Sequence, residues 1–187
     1  MRTGIPSLLA ACLVVLAAPG CYRAGEGEEA RTYIGIVENS DAFVALVRVE
    51  DAVLAYVCDG RATAAWFRGD AEGRAFEAAS GEGWLRAEFD DLAARGVFVS
   101  EEGGAYGFTA WPATGGAGFY RAAAVLAGSA YVGGWILLGG QQRGAVTRDG
   151  VVVDEAGLDP ARPVVPLPGG PTLTARSAAA TLVESGP

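Results

Sequence analysis

The chain has 187 residues, 14 arginines, no lysine, no histidine and 22 acids, for a net charge of −8. So acidic a surface excludes nucleic acid and anionic lipid as partners, since both need clustered positive charge. Without histidine and lysine the chain lacks the commonest general base, the commonest zinc ligand and Schiff-base chemistry, and no cofactor is expected.

Residues 1–20 read as a bacterial lipoprotein signal. Arg2 gives a positive start, residues 8–18 form a short apolar run, and Ala18, Pro19 and Gly20 lead to Cys21. Eleven apolar residues are too few for a span of about 20. Cys12, the other candidate, follows Pro6 with too short an apolar run, so Cys21 is the expected lipid-attachment residue. That places the domain in the cell envelope, on the outside of the cytoplasmic membrane or in the outer membrane. The membrane is then a partner through the N-terminal anchor. Removing the signal leaves 13 arginines against 22 acids. The remaining length suits one domain with its own core.

Residues 21–31, including the run GEGEEA, lack apolar periodicity and read as a flexible tether. Ten such residues reach roughly 16 to 19 Å as a random coil.

From residue 32 to 156 short runs rich in valine, isoleucine, tyrosine, phenylalanine and tryptophan alternate with glycine or acidic turns, which predicts a meandering all-β domain. Strands are expected at 33–37, 43–49, 53–58, 62–68, 75–79, 84–89, 96–100, 106–111, 119–126, 131–138, 141–148 and 151–153. Asp90 and Asp91 read as a hairpin turn. No amphipathic helix is expected in this stretch.

Three turns set registers. Gly139–Gly140 places Leu137 opposite Gln142 and Trp135 opposite Gly144, where the indole can cover bare backbone. Asp149–Gly150 places Val146 opposite Val153. Across Glu50–Asp51, Phe43 faces Cys58, Ala45 faces Tyr56 and Val47 faces Leu54, giving one apolar face. The opposite face carries Arg48, which marks it as the outer one.

Five of the nine prolines fall within 160–171. Proline cannot donate to a ladder, so 157–171 reads as a surface loop. An edge strand is expected at 172–176, and a frayed alanine-rich tail follows to residue 187.

Few residues offer chemistry. Cys58 is a lone thiol, since Cys12 leaves with the signal and Cys21 is acylated, and its apolar face makes it a small core hydrophobe. Asp41 and Asp59 arrive at the same end of one hairpin and form the best carboxylate pair for acid–base work. Turn chemistry accounts for both equally well. Tyr56, Trp66 and Trp135 are candidate ligand-lining aromatics, with core filling the competing role. The glycine groups near 115–118 and 133–134 do not join a strand to a helix, and fail as phosphate loops.

The blocks SDAFVALV (40–47), LAYVCDGR (54–61), FTAWPATGGAGFYRA (108–122) and GGWILLGGQQRGAV (133–146) resemble segments of exported, β-rich proteins of high-GC bacteria. The resemblance implies a shared β fold. It implies no activity and gives no residue a role.

Together these readings predict an antiparallel meander forming a small β-barrel, because closure removes edges, with a two-sheet sandwich as the alternative. The expected function is that of a non-catalytic, lipid-anchored envelope protein. Its barrel would bind a small apolar ligand or a protein partner. A structural component with a filled barrel, or a hydrolase using Asp41 and Asp59, are the alternatives.

Overall fold

The computed structural model describes residues 29–155 and 157–185. The signal, Cys21 and most of the tether lie outside the described residues.

Eight strands form the first sheet: β1 (Arg31–Val37), β2 (Phe43–Val49), β3 (Ala52–Cys58), β4 (Ala64–Asp70), β5 (Ala75–Ser80), β6 (Gly83–Phe89), β7 (Ala94–Ser100) and β8 (Ala105–Pro112). Their order is β4-β3-β2-β1-β8-β7-β6-β5, antiparallel throughout and nearly closed into a barrel, as the strand pattern predicts. β1 pairs with β8, so the first and last strands of the meander join. The open seam lies between β4 and β5, which succeed each other in sequence without forming a ladder.

The barrel interior is a cluster of buried side chains, among them Val44, Leu46, Val57, Phe67, Leu85 and Phe98. Phe67 and Phe98 meet edge-on, 6.0 Å between ring centres. Here the sequence reading of β2 and β3 needs correction. The face containing Val44, Leu46, Val53, Ala55 and Val57, taken as outer because of Arg48, is the barrel interior. Arg48 sits at the barrel mouth, where its Nε donates to Glu50 O (2.6 Å) and its guanidinium lies 5.4 Å from the Phe89 ring centre. A long stem and a charged head suit a mouth as well as an outer wall.

The meander does not continue through one sheet. After Pro112 the chain builds a second sheet from β9 (Gly118–Leu126), β10 (Ser129–Leu138), β11 (Gln141–Arg148) and β12 (Val151–Asp154). This sheet packs on the barrel wall, its Phe119, Ile136 and Ala145 meeting Phe43, Ala45, Tyr56 and Cys58. On that side the molecule is a two-layer sandwich, and β2 is buried on both faces.

A third layer covers the far side of the second sheet. The proline-rich segment expected as a loop contains β13 (Val164–Pro166), which pairs with β14 (Thr172–Thr174). Val165, Leu167 and Leu173 cover Trp135 and Val146. β15 (Arg176–Ser177) adds to the edge of β9.

The alanine-rich end is the helix α1 (Ala178–Ser185), not a frayed tail. Ala178 and Leu182, four apart on one face, are buried between the sheets. Eight residues are too few for a helix that stands alone, so this packing is what holds it. Tertiary burial of two residues is invisible to a local reading of composition.

Registers follow the turns with one exception. Phe43 pairs with Cys58, Ala45 with Tyr56, Leu137 with Gln142 and Trp135 with Gly144, all as expected. The Trp135 ring lies so close over Gly133 and Gly144 that a Cβ at either would overlap it. Asp149 and Gly150 have φ of 49° and 85°, as a primed turn requires. The ladder beyond them slips, however: Thr147 pairs with Val152, but Val146 pairs with Asp154 rather than Val153. A bulge inserts one residue and changes which side chains oppose.

Candidate functional site

The sequence-predicted residues separate into three places. Asp41 and Asp59 come together. Tyr56 and Trp66 stack between the sheets, and Trp135 is fully buried on the far side of the second sheet beneath the β13–β14 hairpin. Among the described residues, Trp135 belongs to a different cluster from Tyr56 and Trp66.

Asp41 and Asp59 share a cleft of about 420 Å³ with Gly60, Arg61, Gln142 and Arg143. The β1–β2 and β3–β4 turns supply one wall and the start of β11 supplies the other. Asp59 Oδ1 accepts the backbone N–H groups of Arg61 (2.8 Å), Ala62 (3.0 Å) and Thr63 (2.9 Å). A carboxylate so engaged shapes the turn, with Gly60 supplying the positive φ of 78°. Asp41 is different. Its carboxylate is 75% exposed and faces Arg61 Nη1 at 4.0 Å, an ion pair of small energetic value.

Arg143 locks the two walls together. Its Nε donates to Asp41 O (2.9 Å), and its guanidinium sits 4.7 Å from the Phe43 ring centre. Gln142 Oε1 accepts the Leu158 N–H (2.9 Å), tying in the segment that leads to the third layer. Sequence reasoning missed Gln142 and Arg143. Arg143 lies 102 positions from Asp41, and no turn or periodicity links residues so far apart.

Beneath the cleft floor, Cys58 Sγ accepts the Gly60 N–H at 3.3 Å. Burial pushes the thiol pKa up, which keeps it protonated and unreactive. The core reading of Cys58 agrees with this geometry. Deeper still, the Tyr56 and Trp66 rings stack at 4.1 Å, with Phe119 at 6.0 and 5.8 Å from them. Gly134 admits this stack: a Cβ there would lie 2.5 Å from the Trp66 ring and 2.6 Å from that of Tyr56. The Tyr56 hydroxyl and Trp66 Nε1 are buried without hydrogen-bond partners among the described residues. Burial raises the Tyr56 pKa well above the usual phenol value.

The barrel mouth near Arg48 forms another recess, of about 390 Å³, lined by Arg31, Tyr33, Arg74, Phe89 and Asp90 among others. Its arginines are engaged: Arg31 Nη1 with Asp91 (3.3 Å) and Arg74 Nε with Phe89 O (2.7 Å). These two rim arginines are therefore committed to partners within the chain.

Among the described residues no group of three or more acidic or cysteine side chains is arranged to hold a metal ion. Comparison of the chain with protein-family models, curated proteins and solved structures finds no match.

Proposed function

We propose that the protein is a lipid-anchored, non-catalytic envelope protein that recognises a protein partner through the cleft between barrel and second sheet. The observation that carries this reading is a contrast in how space is used. The barrel lumen is a cluster of packed side chains, which turns binding away from an enclosed apolar ligand. Meanwhile Asp41, Arg61 and Arg143, brought from three separate segments, offer charge of both signs at an open cleft. Mixed charges of this kind favour orientation and selectivity over raw affinity. Asp59 supports the non-catalytic reading, because its Oδ1 is engaged by three backbone donors.

The anchor at Cys21 rests on the signal pattern. Feeding cells a radioactive fatty acid tests it: label in the wild-type protein and none in Cys21→Ser is expected, and an unlabelled wild type overturns the anchor. The cleft is tested by placing a photo-crosslinking residue at Arg61 in the native host. A discrete adduct that Asp41→Lys with Arg143→Glu abolishes is expected. An adduct unchanged by that double variant removes the cleft as the recognition site.

A further inference from the structure

At the corner of the barrel where β1 begins, two large apolar side chains stand in water on either side of the entering chain. Leu92 is 74% exposed in the β6–β7 turn, and Trp111 is 53% exposed near the end of β8. The turn around Leu92 is fixed. Asp90 Oδ1 accepts the Leu92 and Ala93 N–H groups at 2.8 and 2.7 Å, and Asp90 Oδ2 accepts from Arg95 Nη1 at 2.6 Å. Trp111 is held by the ladder opposite Ile34 of β1, with Pro112 opposite Tyr33, and Ala113 then donates to Thr32 O at 2.8 Å. The surface between the two is continuous. A recess of about 590 Å³ joins residues 29–33 to Asp91, Pro112 and Ala113. Pro112 and Ala113 also line a second recess, of about 460 Å³, with Ile34, Trp111, Ala117 and Leu138.

A lone exposed leucine or tryptophan is ordinary on a protein surface. Their position beside residue 29 is what gives these two a meaning. Eight peptide steps separate Glu29 from Cys21, and a chain of that length spans at most about 29 Å when fully extended. A lipid on Cys21 therefore keeps this corner at the bilayer, where a high effective concentration lets weak apolar contacts suffice. We propose that the corner bearing Leu92, Trp111 and Pro112 is a docking surface for the zwitterionic lipid bilayer to which Cys21 anchors the chain, a proposal that rests on that anchor. An indole suits the headgroup level and a leucine the acyl boundary below it. Charge selects the headgroup. Glu29, Glu50 and Asp91 line the neighbouring mouth, and the rim arginines Arg31 and Arg48 are already paired with Asp91 and Asp51, which favours neutral headgroups over anionic ones. Docking this end also orients the molecule, because the cleft holding Asp41 and Asp59 lies at the other end of β1 and faces away from the membrane.

The test uses the protein purified from its native host and reconstituted into phosphatidylcholine vesicles, with and without a nitroxide on the upper acyl chain. Quenching of tryptophan emission by the nitroxide is expected in the wild type. It should persist in Trp84→Phe, whose exposed indole lies at the far end of the barrel, and vanish in Trp111→Phe. Leu92→Asp keeps the reporter and, with an unchanged circular dichroism spectrum, should lower the ratio of docked to undocked protein roughly tenfold. Quenching that survives in Trp111→Phe, or that Leu92→Asp leaves unchanged, overturns this corner as the docking surface. Stronger quenching when phosphatidylglycerol replaces part of the phosphatidylcholine overturns the choice of a zwitterionic surface. Fatty-acid labelling separates this proposal from the anchor beneath it. A labelled protein that floats with the vesicles yet stays unquenched keeps the anchor and overturns the docking, whereas an unlabelled protein removes the anchor and the docking with it. An unquenched protein that sediments as a dimer, and as a monomer after Leu92→Asp, assigns the corner to a second copy of the chain and likewise overturns the proposal.

Discussion

The β2–β3 and β6–β7 hairpins belong to one barrel and are built to opposite specifications. In β2–β3 almost every residue is buried, one face filling the barrel and the other meeting the second sheet. In β6 buried Leu85, Ala87 and Phe89 alternate with exposed Trp84, Arg86 and Glu88, and the outer face carries the cross-strand pair Glu88 and Arg95. A strand reading FVALVRV is therefore a wall between two cores, and one reading GWLRAEF is a wall between core and water. Continuous apolarity signals double burial even in an antiparallel sheet, where alternation is the usual pattern. A single charge at one end, Arg48, does not outweigh the run beside it.

A substitution on the outer face of β2–β3 should have the largest effect of all. Ala45 points at the second sheet and is fully buried, so Ala45→Lys should cost more than about 4 kcal/mol and leave little folded protein. Circular dichroism and urea titration would measure it, and a variant of near wild-type stability would refute the two-core description. Leu182 tests the helix that helps cover this side. Leu182→Ala should cost about 2 to 3 kcal/mol, whereas a frayed tail would show no change.

Tyr56 sharpens the comparison with an effect of opposite sign. Its buried hydroxyl has no hydrogen-bond partner among the described residues, so Tyr56→Phe should raise stability by about 1 kcal/mol. It should also alter the response to alkali. Cys58 and Tyr56 both have folded-state pKa values raised by burial above their ordinary 9.0 and 10.0. Their contribution is complete below those values and is lost as pH rises toward the folded values, because only the unfolded state releases the protons. Wild-type stability should fall from about pH 9 upward, and Tyr56→Phe should reduce the part of that fall above pH 10. The smallest effect belongs to the wet wall. Val97, 36% exposed on β7, should accept lysine within about 0.5 kcal/mol, and a large loss would show that this face also has a cover.

Of the candidate site, the sequence carried the parts made by short turns. The Glu50–Asp51 turn and the period of two bring Asp41 and Asp59 to one end of a hairpin, and three backbone donors on Asp59 are what an Asp-Gly turn leads one to expect. The rest was set by distant packing. Arg143 reaches Asp41 across 102 positions, and Trp135 proved to serve a different layer from Tyr56 and Trp66 because the meander divides at residues 113–117. Arg121 gave no signal at all, since a lone arginine in a strand reads as an outward charge until a second sheet is laid against it.

The sequence by itself determined the β class, most strand positions within 32–156, the turn-set registers apart from the slip beyond Asp149–Gly150 and the burial of Cys58, because hairpin pairing is local and side chains alternate with a fixed period. Only the tertiary structure decided that twelve strands divide into a barrel and a covering sheet, that the proline-rich segment pairs and shields Trp135, and that the last residues form a helix. It also decided that Arg121 lies half-buried over the Trp66 ring. Those outcomes depend on which faces meet across long stretches of chain. An apolar face states that it must be covered, but not by what.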